Sequence, residues 1–366
     1  MEPVKTGVLG CGTISDAYLG ADDRFDAYDI IACADIDAER ARETADEYGL
    51  RASDPDGMLD DDEIELVVNL TPPSVHDETC RDVLTAGKHV YVEKPLAASV
   101  EEAEAILETA AAEGLLVGSA PDTFLGAGLQ TVRSAIDDGL IGEPVGATAV
   151  WASGGHESWH PSPDLYYRRG GGPLFDMGPY YVTALVSVLG PADRVTGSTA
   201  RTVEQRTITS DPRRGETIDV DVPTHESGVI DFADGATANV LMSFDAPGRS
   251  TFASPAFEIY GTEGTLRLPD PNRFEGPVEF ASGDGATEEV ELTHEYTDGR
   301  GAGVADLAAA VRGDWNHRTT GSLAAHVLEI LDGIREASET GSHVALETSV
   351  DRPEPLPPAF PESIAD

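Results

Sequence analysis

Over residues 4–119 the chain alternates short apolar runs with helical patterns, and that alternation admits few folds. The runs are "VKTGVLG" (4–10), "DIIACAD" (29–35), "ELVVNL" (65–70), "HVYVE" (89–93) and "LLVGS" (115–119). Between them, 38–49, 74–87 and 99–114 carry helical spacing and close on Gly49, Gly87 and Gly114. Ser74 and Ser99 stand where N-caps belong, and Glu102 completes a capping box with Ser99. Strands and helices in this order build a parallel sheet with helices on both faces.

After residue 120 the pattern changes. A helix over 125–139 leads into a strand over 144–153, a second helix follows "RRGGGPLF", and strands are expected at 193–204, 226–232, 236–244, 256–261 and 264–268. Turns such as "ADG" and "GTEG" between them point to a mostly antiparallel sheet, and helical patterns return at 303–312 and 321–338. The fold class expected is α/β: a doubly wound parallel domain over 1–122 and an α+β domain on an open-faced sheet over 123–350. A proline-rich tail over 351–366 should lie extended on the surface.

Charge narrows the partners. The sequence holds 24 basic and 67 acidic residues, a net charge of −43, and such a field repels nucleic acid and anionic membranes. The acids are spread along the whole chain, a surface suited to high salt, where self-repulsion is screened. Three scattered cysteines without CxxC spacing fit a reducing compartment. No run approaches the ~20 apolar residues that cross a bilayer, and the N-terminus lacks a signal-peptide layout. A soluble, cytoplasmic protein is expected.

"VLGCGTIS" (8–15) puts Gly10-x-Gly12 between the first strand and an expected helix, with Ser15 at the third glycine position. Glycines there let the backbone approach a pyrophosphate at the amino end of a helix. Asp35 ends the second strand, where a carboxylate accepts from the adenosine ribose hydroxyls and repels a 2′-phosphate. Asp37 is the alternative contact. Ile36 supplies no cation, so NAD is expected over NADP. The third strand ends in "NLTPPSVH" (69–76) and the fourth in Glu93-Lys94-Pro95. Glycines, an acid, a polar-proline turn and a charged pair thus share the carboxyl edge of one sheet, where such folds bind ligands.

Lys94 is one of three lysines among the 24 basic residues. An exposed pair with Glu93 contributes little, and arginine would serve it as well. Lysine is required where an amine must share a proton. Further on, helical spacing over 173–190 sets Asp176 and Tyr180 on one face, while "GGHESWHPSPDLYYRRGGG" (154–172) mixes aromatics with polar groups in a loop. Trp159, His160, Tyr166 and Arg168 are the expected substrate contacts. His156, Glu157 and His160 lack the spacing of a zinc site, and no metal is expected.

Through "VLGCGTIS", "NLTPPSVH", "GKHVYVEKPLA" (87–97) and "GGGPLFDMGPYY" (170–181) the chain resembles the Gfo/Idh/MocA oxidoreductases, the group of glucose–fructose oxidoreductase and inositol dehydrogenase. The resemblance implies a Rossmann domain followed by an open-sheet domain for substrate and oligomer contacts. It also implies a cis Lys94–Pro95 bond and a lysine that meets both cofactor and substrate. It implies the catalytic set Lys94, Asp176 and Tyr180, with cofactor contacts at Gly10, Gly12, Thr13, Ile14, Asp35, Thr71, Pro72, His76, Glu93 and Lys94. Tyr180 stands where the family usually has histidine, and a tyrosine, ordinarily titrating near ~10, needs a cationic neighbour to act as a base.

The function expected is NAD-dependent oxidation of a secondary alcohol of a sugar, cyclitol or sugar acid, in a homodimer or homotetramer. Two rivals are an NAD-dependent glycoside hydrolase of the same fold and a non-catalytic dinucleotide sensor. The full set of Lys94, Asp176 and Tyr180 disfavours the sensor.

Overall fold

A computed structural model describes residues 2–246, 256–313 and 315–360. The first half runs β1 (Val4–Leu9), β2 (Tyr28–Ala34), α1 (Ala38–Tyr48), β3 (Arg51–Ser53), α2 (Pro55–Leu59), β4 (Leu66–Asn69), α3 (His76–Thr85), β5 (His89–Val92), α4 (Val100–Glu113) and β6 (Val117–Ser119). The six strands pair in parallel in the order β3-β2-β1-β4-β5-β6. Strand order reverses between β1 and β4, and a crevice opens beyond the carboxyl ends at such a point.

Local chemistry sets the ends of these elements. Asp37 caps α1, accepting from the amides of Glu39 and Arg40, and Gly49 closes it in the left-handed region. Ser99 caps α4 through the amide of Glu102, while the Glu102 carboxylate reaches back to Ala98 N at 3.0 Å. Ser74 does not cap: it lies inside a 3-10 turn, Pro73–Val75, ahead of α3.

The helix expected after the Gly10–Gly12 turn does not form among the described residues. Two 3-10 turns, Ser15–Ala17 and Asp22–Arg24, lead to β2 instead. Gly20, at φ +76°, turns the chain between them, and the Asp22 carboxylate accepts from Ile30 N at 2.9 Å, tying the segment to the strand that follows.

The second half runs α5 (Ala127–Asp137), β7 (Pro144–Ala152), α6 (Pro173–Leu189), β8 (Ala192–Ala200), β9 (Gln205–Thr207), β10 (Thr217–Asp219), β11 (His225–Phe232), β12 (Thr237–Ser243), β13 (Ala256–Gly261), β14 (Gly264–Arg267), β15 (Val278–Ser282), β16 (Thr287–Val290), α7 (Ala302–Arg312), α8 (Gly321–Thr340) and β17 (Val344–Ala345). Nine strands form one sheet in the order β16-β15-β14-β13-β7-β12-β11-β8-β17, antiparallel except where β7 meets β12. Along β11, buried Glu226, Gly228, Ile230 and Phe232 alternate with part-exposed residues, so one face is covered and the other open. Gly197 and Gly228 let α8 lie directly on the covered face, because a Cβ at either would strike Ile334. β15 and β16 were not expected: of their nine residues only Val278, Phe280 and Val290 pack on the core, too few apolar positions to mark two strands.

The tail is extended but not merely superficial. Arg133 and Arg318 bind the carbonyls of Pro353, Glu354 and Pro355, and Leu356 and Phe360 are buried in the core. Residues 361–366 of the expected tail lie outside the described residues.

Candidate active site

A cavity of about 1030 Å³ lies between the carboxyl edge of the parallel sheet and α6. Ile14, Thr71, Pro72, Glu93 and Lys94 line it from the first half of the chain, and Trp159, Tyr166, Arg168, Asp176, Tyr180 and Arg300 from the second.

Beside the lining residue Ile14, in the turn after β1, Gly10 has φ +101°, and a Cβ there would come within 3.0 Å of the Leu70 carbonyl group. At Gly12 a Cβ would meet nothing within 4 Å, so that glycine borders open space. Among the described residues, the amides of Gly12, Thr13 and Ile14 bond no protein group. Three free consecutive N–H groups beside a side-chain-free surface suit a phosphate. Ser15 turns inward instead, its Oγ donating to the Gly12 carbonyl at 2.7 Å.

Asp35 accepts from Cys11 N at 2.9 Å and from Asp37 N at 2.8 Å, which fixes its carboxylate at the end of β2. A cation is nearer than the sequence suggested: Arg40 lies 3.6 Å from Asp35 and 3.7 Å from Asp37. Thr71 donates to Asn69 Oδ1 through both its amide and its hydroxyl. His76 differs from its expected role as a cofactor contact. It is fully buried, with one ring nitrogen 2.8 Å from the Thr71 carbonyl and the other 2.8 Å from that of Pro95. It joins two strand-end loops from below.

The Lys94–Pro95 bond is cis. Lys94 pairs not with Glu93 but with Asp176: its Nζ donates to Oδ1 at 3.0 Å and to the Asp176 carbonyl at 2.7 Å, and it lies 5.1 Å from the centre of the Tyr180 ring. Glu93 accepts instead from Lys94 N and from the Tyr18 hydroxyl, both at 2.8 Å. Burial disfavours the charged amine, but Asp176, with Tyr180 and Glu93 beyond it, outweighs burial and raises its pKa. Burial likewise works against the Asp176 carboxylate, yet Lys94 and His156 hold it down at about 2. Without cofactor, the pair is therefore an ammonium and a carboxylate.

Two partners were missed in the sequence. His156 Nε2 lies 2.8 Å from Asp176 Oδ2, so one carboxylate binds Lys94 and His156 together. Arg300, between β16 and α7, donates from Nη2 to the Tyr180 hydroxyl at 2.8 Å. The cationic neighbour of the phenol oxygen is thus Arg300, while Lys94 faces the ring. The "HESWH" stretch (156–160) offered His156 only as a zinc candidate, and nothing in "DGRGAG" marked Arg300.

On the other wall, the His156 ring packs against Tyr166 at 4.0 Å and Trp159 at 5.1 Å between centroids. Trp159 keeps 60% of its surface exposed. Burial and the nearby Asp176 push the Tyr166 phenol up to about 12, against the pull of Lys94. Arg168 is solvent-exposed at the rim. His160 sits outside the lining, its Nδ1 accepting from Ser162 N at 3.0 Å. A satellite cluster of Tyr167, Ile208, Ile218, Val220 and Phe244 supports this loop. Beside it, over the Tyr167 ring, Arg206 binds Glu157, Asp245 and the Gly154 carbonyl.

A Rossmann sheet, a phosphate-ready glycine turn and a buried lysine–carboxylate pair at the strand ends define a nicotinamide-dinucleotide oxidoreductase. The family profile described as "Oxidoreductase family, NAD-binding Rossmann fold" matches residues 4–120, and the "GFO/IDH/MocA C-terminal domain" matches 129–267. The chain belongs to the Gfo/Idh/MocA family of oxidoreductases. It is 28% identical to D-xylose 1-dehydrogenase (NADP(+)) 2 of Haloferax volcanii, over 93% of this chain and 99% of that one. It is 24% identical to 1,5-anhydro-D-fructose reductase of Ensifer adhaerens, over 94% and 99%. The structure of levoglucosan dehydrogenase in complex with NADH and L-sorbose shares the fold, with a TM-score of 0.81 at 21% identity over 95% of this chain and 100% of that one. Among the described residues, no helix is long and apolar enough to cross a membrane.

Proposed function

We propose that the protein is an NAD-dependent dehydrogenase acting on a secondary alcohol of a sugar, cyclitol or sugar acid. The observation that carries the reading is the Lys94–Asp176 pair, with Tyr180 beside it, in a cavity that also reaches Ile14 and Thr71. The names of the two curated relatives, a sugar dehydrogenase and a sugar reductase, support the substrate class. The bound cofactor supplies the acceptor for the hydrogen on the alcohol carbon. Gly10 and Gly12, with the free amides of residues 12–14, are the groups that would hold its phosphates. Asp35 would meet the adenosine ribose, and Thr71, Pro72 and Glu93 would border the nicotinamide. NAD is favoured because Asp35 repels a 2′-phosphate, although Arg40 tempers that repulsion.

Lys94, Asp176 and Tyr180 manage the proton. The substrate hydroxyl approaches Nζ and the phenol oxygen, and once that pair has given one proton to solvent it takes the hydroxyl proton as the carbonyl forms. Asp176 keeps the amine oriented, and Trp159 and Tyr166 offer flat faces to the sugar ring. The acidic surface and open sheet face fit a homodimer or homotetramer working in high salt.

A panel of sugars, polyols and sugar acids with NAD or NADP in high salt, followed by absorbance of the reduced nicotinamide, tests the reading. Net reduction of NAD by a free sugar is expected. Release of an aglycone without net reduction would replace it with a hydrolase, and dinucleotide binding without any turnover with a sensor.

A further inference from the structure

The Tyr180 hydroxyl accepts from Arg300 Nη2 at 2.8 Å, and the loop behind that guanidinium is firmly built. The amides of Gly301 and Gly303 donate to Asp122 Oδ2 at 3.0 and 3.1 Å, and Arg24 donates to the Arg300 carbonyl at 2.6 Å. Nη1 lies 3.6 Å from Glu93 and 3.9 Å from Asp122, so two carboxylates at the end of the parallel sheet balance the charge. Arg300 therefore joins the dinucleotide half of the chain to the helix carrying Tyr180.

A phenol oxygen that accepts a guanidinium hydrogen must aim its own hydrogen elsewhere. Among the described residues, no protein acceptor takes it, and Lys94 lies over the ring face, committed to Asp176. What remains in front of the hydroxyl is the cavity. We propose that Arg300 is a positioning residue of the reaction: acting through Tyr180, it aims the phenol hydroxyl at the substrate oxygen and stabilises the charge left when that proton moves.

This rests on the dehydrogenase reading. It assigns the proton to Tyr180 within the Lys94–Tyr180 pair. In the reducing direction the Tyr180 O–H bond breaks, the proton bonds the carbonyl oxygen of the substrate, and the phenolate stays paired with Arg300. In oxidation the phenol first gives its proton to solvent, and the phenolate, still paired with Arg300, then takes the proton of the substrate hydroxyl. The hydrogen on carbon, with its electron pair, is exchanged with the dinucleotide that the family's activity supplies. Lys94 remains an ammonium throughout and helps to polarise the substrate oxygen.

The test uses Arg300→Met, Arg300→Lys, Arg300→Gly and Tyr180→Phe in the full chain. In cofactor-free protein labelled at the tyrosine ζ-carbon, the NMR resonance that Tyr180→Phe deletes should move in Arg300→Met. In turnover, Arg300→Met should lower kcat about 10²–10³-fold, as loss of one donor to a developing oxyanion does. KM and dinucleotide Kd should change by less than about threefold, because Arg300 acts on charge that develops during reaction. Arg300→Lys should recover part of kcat, and added guanidinium should raise the rate of Arg300→Gly about tenfold without affecting Tyr180→Phe. An unmoved resonance overturns the proposal, as does an unchanged kcat in Arg300→Met. Absence of guanidinium rescue in a variant that melts like the parent also overturns it. If the parent oxidises no alcohol, the dehydrogenase reading falls instead, while the resonance still reports whether Arg300 holds the phenol.

Discussion

Asp176 holds Lys94 twice, through its carboxylate at 3.0 Å and through its own main-chain carbonyl at 2.7 Å. The second contact depends on backbone, so the ammonium is fixed by the position of α6 as well as by one side chain. Burial alone would strip such an amine of its charge, and here the fixed carboxylate reverses that tendency. The site thus starts from a charged, immobile nitrogen rather than a free base.

Removing that nitrogen should abolish chemistry and spare binding. Lys94→Ala is expected to lower kcat about 10²–10³-fold, as loss of one charged donor to the reacting oxygen does. Dinucleotide Kd should change little, since the phosphate end at Gly10–Ile14 is untouched. Lys94→Arg should not recover turnover, because a planar guanidinium cannot reproduce the point contact with both Asp176 oxygens. Initial rates and a cofactor titration on the same preparations check both statements.

The carboxylate also links stability to pH. Held at about 2 in the folded protein and near ~3.9 in the unfolded chain, Asp176 contributes stability that is fully present above about pH 4. That contribution, on the order of 2 kcal/mol, disappears as pH falls through the folded value. Denaturant unfolding of the parent and of Asp176→Asn should therefore differ most near neutrality. The difference should shrink as pH drops from about 4 towards 2. A gap that stays constant over that interval would sink the assignment.

The two glycines of the first turn separate fold from cofactor. Gly10→Ala forces a side chain into φ +101° and against the Leu70 carbonyl at 3.0 Å, and should cost about 1–3 kcal/mol of stability. Gly12→Val meets no protein atom near its Cβ and should melt close to the parent. It should nevertheless weaken dinucleotide binding at least about tenfold, equivalent to 1.4 kcal/mol, by filling the space the phosphates need. Thermal melts and cofactor titrations should rank the two variants in opposite orders.

Much of the site was legible because its residues lie on regular elements or in the turns that follow them. Lys94 follows β5 directly, and helical spacing alone puts Asp176 and Tyr180 on one face of α6. What escaped notice lies in loops brought near by tertiary packing. His156 reaches Asp176 because the Arg206 network supports its loop, and Arg300 reaches Tyr180 from 120 residues away. Neither has a periodicity to betray it. The helix wrongly expected after Gly12 has the same cause: the glycine turn resembles one that begins a helix, but Gly20 and the Asp22–Ile30 contact take the chain elsewhere. His76 was legible as a position and not as a role, since its spacing from Thr71 cannot tell a ligand contact from a buried strut.

The proposed preference for NAD rests on Asp35, with Arg40 beside it. The carboxylate is held by two backbone amides, so it cannot swing away from a 2′-phosphate. Arg40, 3.6 Å from it, is the nearest cation able to pair with one. Replacing Asp35 with serine removes a repulsion that, between like charges at an interface, amounts to several kcal/mol, and frees Arg40 from its acidic partner. The ratio of kcat/KM for NADP over NAD should therefore rise by about 10²-fold in Asp35→Ser. Most of that rise should be lost in Asp35→Ser with Arg40→Ala, because the phosphate then has no partner. Steady-state kinetics with both cofactors at one saturating substrate measure the ratio, and a parent that already prefers NADP would reverse the proposed order.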